Sequence, residues 1–137
     1  TIGNHSYDHP NFQVISPAEA RRQLLDNAQA WWKACGAIPA PFFRPPYGAQ
    51  DAATLKAAGS AGYPFVVNWD VDTGDWTGIS SAEIARRAIE GAQPGSIIVM
   101  HTEWNTQEAI PAMVKGLRAK GLEPVGMDHL FQAAGLL

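Results

Sequence analysis

Two histidines, His5 and His9, stand four residues apart in the opening stretch TIGNHSYDHP. On a helical turn this spacing puts both imidazoles on one side, close enough to bind one metal ion. A turn whose histidines are satisfied by local hydrogen bonds would have the same spacing. Because a catalytic zinc site usually has three protein ligands and one open position, the pair by itself predicts an incomplete site.

The segment FFRPPYG, residues 42–48, places Arg44 and Tyr47 around a pair of prolines. The prolines fix the backbone after an apolar run, which would aim Arg44 into a cleft and set the direction of the Tyr47 backbone N–H. An N–H held in this way can donate to a developing oxyanion. The alternative is a rigid turn with Arg44 in a surface ion pair.

Three acids, Asp70, Asp72 and Asp75, lie within the segment DVDTGDW beside Trp76. Carboxylates this close repel one another unless a cation, an arginine or an imidazolium stands near, which favours a functional loop over a solvated acidic one. His101 ends the apolar run SIIVM and would be dry enough to have a tunable pKa. It is a candidate general acid, and a buried core histidine is the alternative.

Alternating helices and strands have to position these residues. Ser16, Pro17 and Glu19 predict the start of a helix through a cap, a first-turn proline and a capping-box acid. Further patterns predict four more helices: one over residues 51–61, one that begins at Ser80 or Ser81, one that ends at Gly121 and one over residues 127–134. They also predict strands over residues 39–44, 64–69, 96–101 and 122–126. This alternation favours parallel βαβ units in an α/β protein, whose working residues collect at the carboxyl ends of the strands.

Composition limits the class of protein. With 137 residues, 46% hydrophobic and 17% charged, the chain is predicted to be one soluble globular domain, and no apolar run approaches the length of a membrane span. A formal net charge of −3 without a basic cluster argues against a nucleic-acid partner. The single cysteine, Cys35, excludes an intrachain disulfide, and its place in an apolar helical series predicts a buried thiol.

Taken in order, GNHSYDHP, FFRPPYG, DVDTGDW and IIVMH resemble motifs two to five of the polysaccharide deacetylases, the NodB-homology domain of carbohydrate esterase family four. The ending GLRAKGLEPVGMDHLF is also similar to the end of that domain, so the resemblance covers residues 1–137. It implies a distorted (β/α) barrel and metal-dependent hydrolysis of N-acetyl groups from chitin, chitooligosaccharides, peptidoglycan or a related polymer. It also implies a secreted protein, extracellular or in the cell envelope.

The same resemblance implies roles for individual residues. His5 and His9 would bind the metal, usually zinc although cobalt or nickel also suit such ligands, and Ser6 would support their turn. The metal would polarise the acetyl carbonyl and activate water. The backbone N–H of Tyr47 would donate to the oxyanion, and Arg44 would orient the base. His101 would be the general acid, and the Asp72 carboxylate would set its protonation. Trp76 and Val99 would form walls of the acetyl pocket.

One departure from the family is serious. The first motif, a Thr-Phe-Asp-Asp-Gly type sequence that supplies the catalytic base and the third metal ligand, does not occur here, and Asp8 is the one neighbouring carboxylate, expected to point elsewhere. We therefore expect an N-terminally truncated deacetylase domain, inactive alone, with the missing strands upstream or in a second chain. The alternative is a carbohydrate-binding module that lacks the base, with Trp69, Trp76 and Trp104 as stacking residues.

Overall fold

The computed structural model describes residues 1–137, which divide into two compact units, the N-terminal unit of residues 1–68 and the C-terminal unit of residues 69–137. Each unit contains a pair of parallel strands together with helices. The predicted α/β class is confirmed in this coarse form, and the barrel stays a prediction.

The strands of the N-terminal unit are β1 (Phe42–Phe43) and β2 (Phe65–Val66), which pair in parallel. Asn4 adds an isolated parallel bridge to Phe43 on the other edge of β1. Both strands are shorter than predicted. Around β1 the reason is the prolines at positions 41 and 45, because proline has no N–H to donate to a ladder.

Two helices complete the N-terminal unit, α1 (Pro17–Cys35) and α2 (Ala52–Ser60). Helix α1 begins as predicted, with the Ser16 hydroxyl accepting from the Glu19 N–H at 3.2 Å, and it ends at Gly36 in the left-handed conformation. The predicted burial of Cys35 is wrong, since its thiol is exposed on the last turn. The buried part of α1 lies earlier and packs into a core that consists of Phe12, Ala20, Leu24, Phe43, Ala57, Ala58 and Tyr63.

The C-terminal unit contains β3 (Val71–Asp72) and β4 (Ile98–Val99), which also pair in parallel. Strand β3 lies where the sequence predicted only a loop, and β4 is the short centre of the predicted strand 96–101. The strand predicted over residues 122–126 is wrong, because this stretch is irregular. The Leu122 N–H donates back to the Leu117 carbonyl at 2.9 Å as a helix-ending bond, and Pro124 has no N–H to donate.

Three helices accompany these strands, α3 (Ser81–Gly91), α4 (Trp104–Ala119) and α5 (Met127–Ala133). Their core forms where α3 packs on α4 and consists of Ile84, Ala85, Ala88, Ala109 and Met113. No helix of either unit combines the length and apolar character that crossing a membrane requires.

Candidate active site

His5 and His9 meet in the N-terminal unit, with their Nε2 atoms 3.2 Å apart. The segment is not the helical turn that the spacing suggested, because Ser6 and His9 have positive φ angles of 69° and 60°. The chain therefore folds back in a tight loop instead. Two nitrogens bound to one tetrahedral zinc at the usual distance of about 2.0–2.1 Å lie about 3.3 Å apart, so the observed separation fits a shared metal ion. It is also the separation of a hydrogen bond between the two rings, the alternative that the sequence left open.

A strand contact fixes the tautomer of His5. The bridge beside β1 brings Asn4 against the strand, where the Arg44 N–H donates to the Asn4 carbonyl at 3.0 Å. The neighbouring His5 Nδ1 then lies 2.6 Å from the Arg44 carbonyl oxygen. Because a carbonyl only accepts, Nδ1 carries a proton, which leaves Nε2 as the ring nitrogen of His5 that could bind a metal.

Ser6 supports the histidine loop from within. Its hydroxyl accepts from the His9 N–H at 3.0 Å, and its own N–H donates to the buried Asn4 side chain at 2.9 Å. Asp8 is occupied elsewhere, since its carboxylate accepts from Gln23 of α1 at 2.9 Å. No group of three or more His, Cys, Asp or Glu in the structure is placed to hold a metal ion, so the role of the two histidines as metal ligands stays a prediction.

Arg44 and Tyr47 follow β1 and lie against the two histidines. Arg44 is half-buried, its Nε donates to the Val67 carbonyl at 3.4 Å, and burial lowers the pKa of its guanidinium. Tyr47 has a φ of 60°, and its exposed ring meets the His9 ring edge-on with centroids 4.8 Å apart. A left-handed non-glycine residue costs on the order of 1–3 kcal/mol and is typical of functional sites.

The C-terminal unit pairs His101 with a carboxylate. His101 Nδ1 lies 2.8 Å from Asp75 Oδ1, the His101 backbone N–H donates to Asp75 Oδ2, and the Thr106 hydroxyl donates to the same oxygen at 2.7 Å. Asp75 is 1% exposed, whereas the His101 side chain is 49% exposed. Burial raises the pKa of the Asp75 carboxyl, but the hydrogen bonds from His101 and Thr106 outweigh it, so the pKa lies below its usual range.

This pairing corrects the sequence analysis, which assigned the carboxylate role to Asp72. Asp72 ends β3 with its side chain exposed, and its Oδ1 accepts from the Gly74 N–H at 2.8 Å. Gly74, at a φ of 66°, turns the chain so that Asp75 is buried beneath His101, and this glycine is the signal that could have separated the two acids. His101 is half-exposed rather than dry because β4 ends at Val99.

The two predicted pocket-wall residues lie in the same unit as His101. Val99 is buried on β4, and its carbonyl accepts from the Thr73 hydroxyl at 3.0 Å. Trp76 is 65% exposed in the single turn of 3₁₀ helix that runs from Asp75 to Thr77. Their contact with an acetyl group stays a prediction.

Comparison with known proteins gives the class. Residues 1–66 match the family described as polysaccharide deacetylase. A peptidoglycan-N-acetylglucosamine deacetylase of Bacillus cereus is 32% identical over 97% of this chain and 50% of its own length. A bifunctional xylanase/xylan deacetylase of Cellvibrio japonicus is 39% identical over 93% of this chain and 19% of its own. A solved CE4 family pseudoenzyme from Bacillus anthracis superposes with a TM-score of 0.87 at 30% identity, covering 93% of this chain and 45% of its own.

These similarities identify the chain as a member of the polysaccharide deacetylase family, as its four motifs predicted. The solved neighbour from Bacillus anthracis belongs to the CE4 family. The chain spans half the length of the Bacillus cereus relative and a smaller share of the Cellvibrio japonicus one.

Proposed function

We propose that the protein is a metal-dependent hydrolase that removes N-acetyl groups from an N-acetylglucosamine-containing polysaccharide such as peptidoglycan or chitin. The observation that carries the proposal is the His5–His9 pair, whose Nε2 atoms lie 3.2 Å apart with the His5 tautomer set for binding. Residues 1–137 would form part of a distorted (β/α) barrel catalytic domain that acts outside the cell or in its envelope.

The histidine pair fits a divalent metal. Imidazole nitrogens are common zinc ligands, and cobalt and nickel also bind them. When bound, such an ion polarises a carbonyl and makes water a nucleophile near neutral pH. His5 and His9 would supply two ligands, and a carboxylate from outside residues 1–137 would be needed to complete the set, since Asp8 is bound to Gln23.

The remaining residues of the chain divide the work of amide hydrolysis. The backbone N–H of Tyr47 donates to the oxygen that gains charge as the acetyl carbonyl is attacked. His101 gives the proton on Nε2 to the leaving amine nitrogen as the C–N bond breaks. Asp75, fixed on His101 Nδ1 at 2.8 Å, orients the ring and stabilises its protonated form. Trp76 and Val99 enclose the acetyl methyl group, and Arg44 orients the base.

Residues 1–137 do not contain the catalytic base that the proposed reaction requires. No Asp-Asp pair occurs in the sequence. We therefore expect residues 1–137 alone to bind zinc weakly and to release little acetate from any N-acetylated oligomer. A high rate of acetate release from these residues alone would contradict this division of labour.

The test is acetate release by the intact, metal-loaded protein from a panel of N-acetylglucosamine oligomers, peptidoglycan and acetylated xylan. The xylan arm separates amide from ester hydrolysis. We expect release from at least one N-acetylated polymer, loss of that release on chelation, and recovery when zinc is returned. An intact protein that binds zinc and releases no acetate from any of them would overturn the hydrolase proposal.

A non-catalytic carbohydrate-binding module is the second candidate, and two exposed indoles favour it. Trp76 and Trp104 are 65% and 72% exposed, whereas Trp69 is half-buried and less available for stacking. Flat aromatic faces of this kind can lie against sugar rings. This candidate predicts that chitin oligomers bind with an affinity that survives metal removal and is lost in Trp104→Ala, which titration calorimetry would measure.

A further inference from the structure

The loop that presents the two histidines is held in an unfavourable backbone shape. Ser6 and His9, at φ angles of 69° and 60°, both occupy the left-handed region without being glycine. Such residues persist only where the surroundings determine them strongly. The loop therefore needs restraint from another element, and in the N-terminal unit that element is α1.

Gln23 of α1 supplies most of this restraint. It is 2% exposed, and its Oε1 accepts from the backbone N–H groups of Tyr7 at 3.1 Å and Asp8 at 2.8 Å. Its Nε2 donates to the Asp8 carboxylate at 2.9 Å and to the Glu19 carboxylate at 3.0 Å. The amide thus uses both donors and both lone pairs, and both peptide groups that it binds lie between the two histidines.

Two more polar side chains, Glu19 and Asn27, lie on the same face of α1 as Gln23. Each is one helical turn away from Gln23. Asn27 Nδ2 donates to the Ser6 carbonyl at 2.8 Å, next to the strained loop. Glu19 is an anionic acceptor for Gln23, because hydrogen bonds from Arg22 and Gln23 lower the pKa of its carboxyl to about 2. Each of these side chains therefore contacts either the loop or the residue that holds it.

We propose that Gln23 is a positioning residue for the metal site, which fixes the peptide between His5 and His9 and so keeps their Nε2 atoms at a separation that one ion can bridge. Asn27 assists by fixing the Ser6 carbonyl. The inference rests on the proposed metal-binding function. Groups that orient metal ligands without touching the metal commonly change its affinity by about 10- to 100-fold when removed.

The experiment compares zinc affinity, measured by titration calorimetry, with thermal stability in the same variants of the intact protein. Gln23→Met removes all four hydrogen bonds while keeping a similar volume, and about a tenfold or larger loss of zinc affinity is expected. Leu24→Ala, at the next buried position, is the matched control. It should lower the Tm and leave the zinc affinity of the folded protein unchanged.

A second variant covers the case in which Gln23→Met does not fold. Asn27→Ala replaces a half-buried residue by the best helix former, so the helix should persist. It should weaken zinc binding several-fold with a smaller fall in the Tm than Leu24→Ala causes, and the visible spectrum of bound Co²⁺ should change in both polar variants and not in Leu24→Ala. Wild-type zinc affinity and cobalt spectrum in Asn27→Ala and in folded Gln23→Met would overturn the inference.

His5→Ala separates metal binding from the positioning role of Gln23. If the intact wild-type protein binds zinc and its His5→Ala variant does not, the metal site stands, and the Gln23 variants then decide the positioning role alone. If the intact wild-type protein binds no zinc, the metal site and the positioning role are both overturned.

Discussion

Both units of the protein present a histidine whose Nδ1 is held by an oxygen, but the two oxygens differ in charge. In the N-terminal unit the acceptor for His5 is the neutral Arg44 carbonyl, at 2.6 Å. In the C-terminal unit the partner of His101 is the buried Asp75 carboxylate, at 2.8 Å. The carbonyl makes Nδ1 of His5 a hydrogen-bond donor to a neutral group, whereas Nδ1 of His101 faces a charged acceptor.

Under the proposed function, this difference directs the same side chain to two kinds of chemistry. The partner of His5 is the backbone carbonyl of the residue that follows β1, beside the parallel bridge from Asn4 to Phe43. The partner of His101 is a side chain buried by the turn at Gly74 and held by Thr106. Changing the partner should therefore change the function of each histidine separately, and the following predictions test that separation from the largest effect to the smallest.

The strongest test removes each histidine in turn. His5→Ala should abolish measurable zinc binding, because a single remaining imidazole is a poor site. His101→Ala should leave zinc affinity unchanged and lower kcat of the intact enzyme by about 10²- to 10⁴-fold, the usual contribution of a general acid. Calorimetry and acetate release measure the two effects.

The control for both variants is His129→Ala, on the exposed side of α5. It should alter neither zinc affinity nor kcat. A loss of zinc binding in His101→Ala would contradict the separation of the two sites.

Replacing each acid in turn by asparagine should distinguish the role of Asp75 from that of Asp72. Asp75→Asn should lower kcat by about tenfold to 100-fold, less than loss of the acid itself, because the amide no longer stabilises the imidazolium. Asp72→Asn, at the exposed end of β3, should retain nearly wild-type kcat. If Asp72→Asn were the more damaging change, the pairing seen in the structure would not be the functional one.

Acid unfolding should depend on Asp75. The folded-state pKa of the Asp75 carboxyl lies below the ordinary value of 3.8. The ionised carboxylate therefore stabilises the fold fully above pH 3.8, and this stabilisation is lost as the pH falls from 3.8 toward the folded-state pKa. Asp75→Asn should therefore be less stable than wild type at neutral pH, by about 1–3 kcal/mol for the lost charged hydrogen bonds. The gap should narrow below about pH 4, as measured by denaturant unfolding across pH. A gap that widened in acid would show that Asp75 is not the ionised partner.

The smallest effect should come from the Tyr47 hydroxyl. The proposed donor is the backbone N–H, and the ring contacts His9 through its edge. Tyr47→Phe preserves both, so kcat and zinc affinity should stay within about twofold of wild type, since no charged or buried hydrogen bond is lost. A large fall in kcat would assign the hydroxyl itself a role in the reaction.

Some features of the fold and the site could be predicted from the sequence because they depend on residues close together in the chain. The caps at Ser16 and Ser80 each accept from an N–H three residues ahead, so the first helix start was predicted correctly and the second to within one residue. The order of the four motifs was enough to predict the family. The family match over residues 1–66, which holds two of the motifs, and the Bacillus cereus relative aligned over 97% of the chain confirm it.

Other features depend on contacts between residues far apart in the chain, which no local pattern encodes. The tautomer of His5 is set by a carbonyl 39 positions away, and the partner of His101 lies 26 positions back, where Asp72 and Asp75 are equally plausible by spacing. The sequence by itself predicted which residues would carry the chemistry, except that it named Asp72 where the structure pairs His101 with Asp75. Only the tertiary structure decided their partners, because a histidine becomes a ligand or an acid according to the oxygen that folding places on its Nδ1.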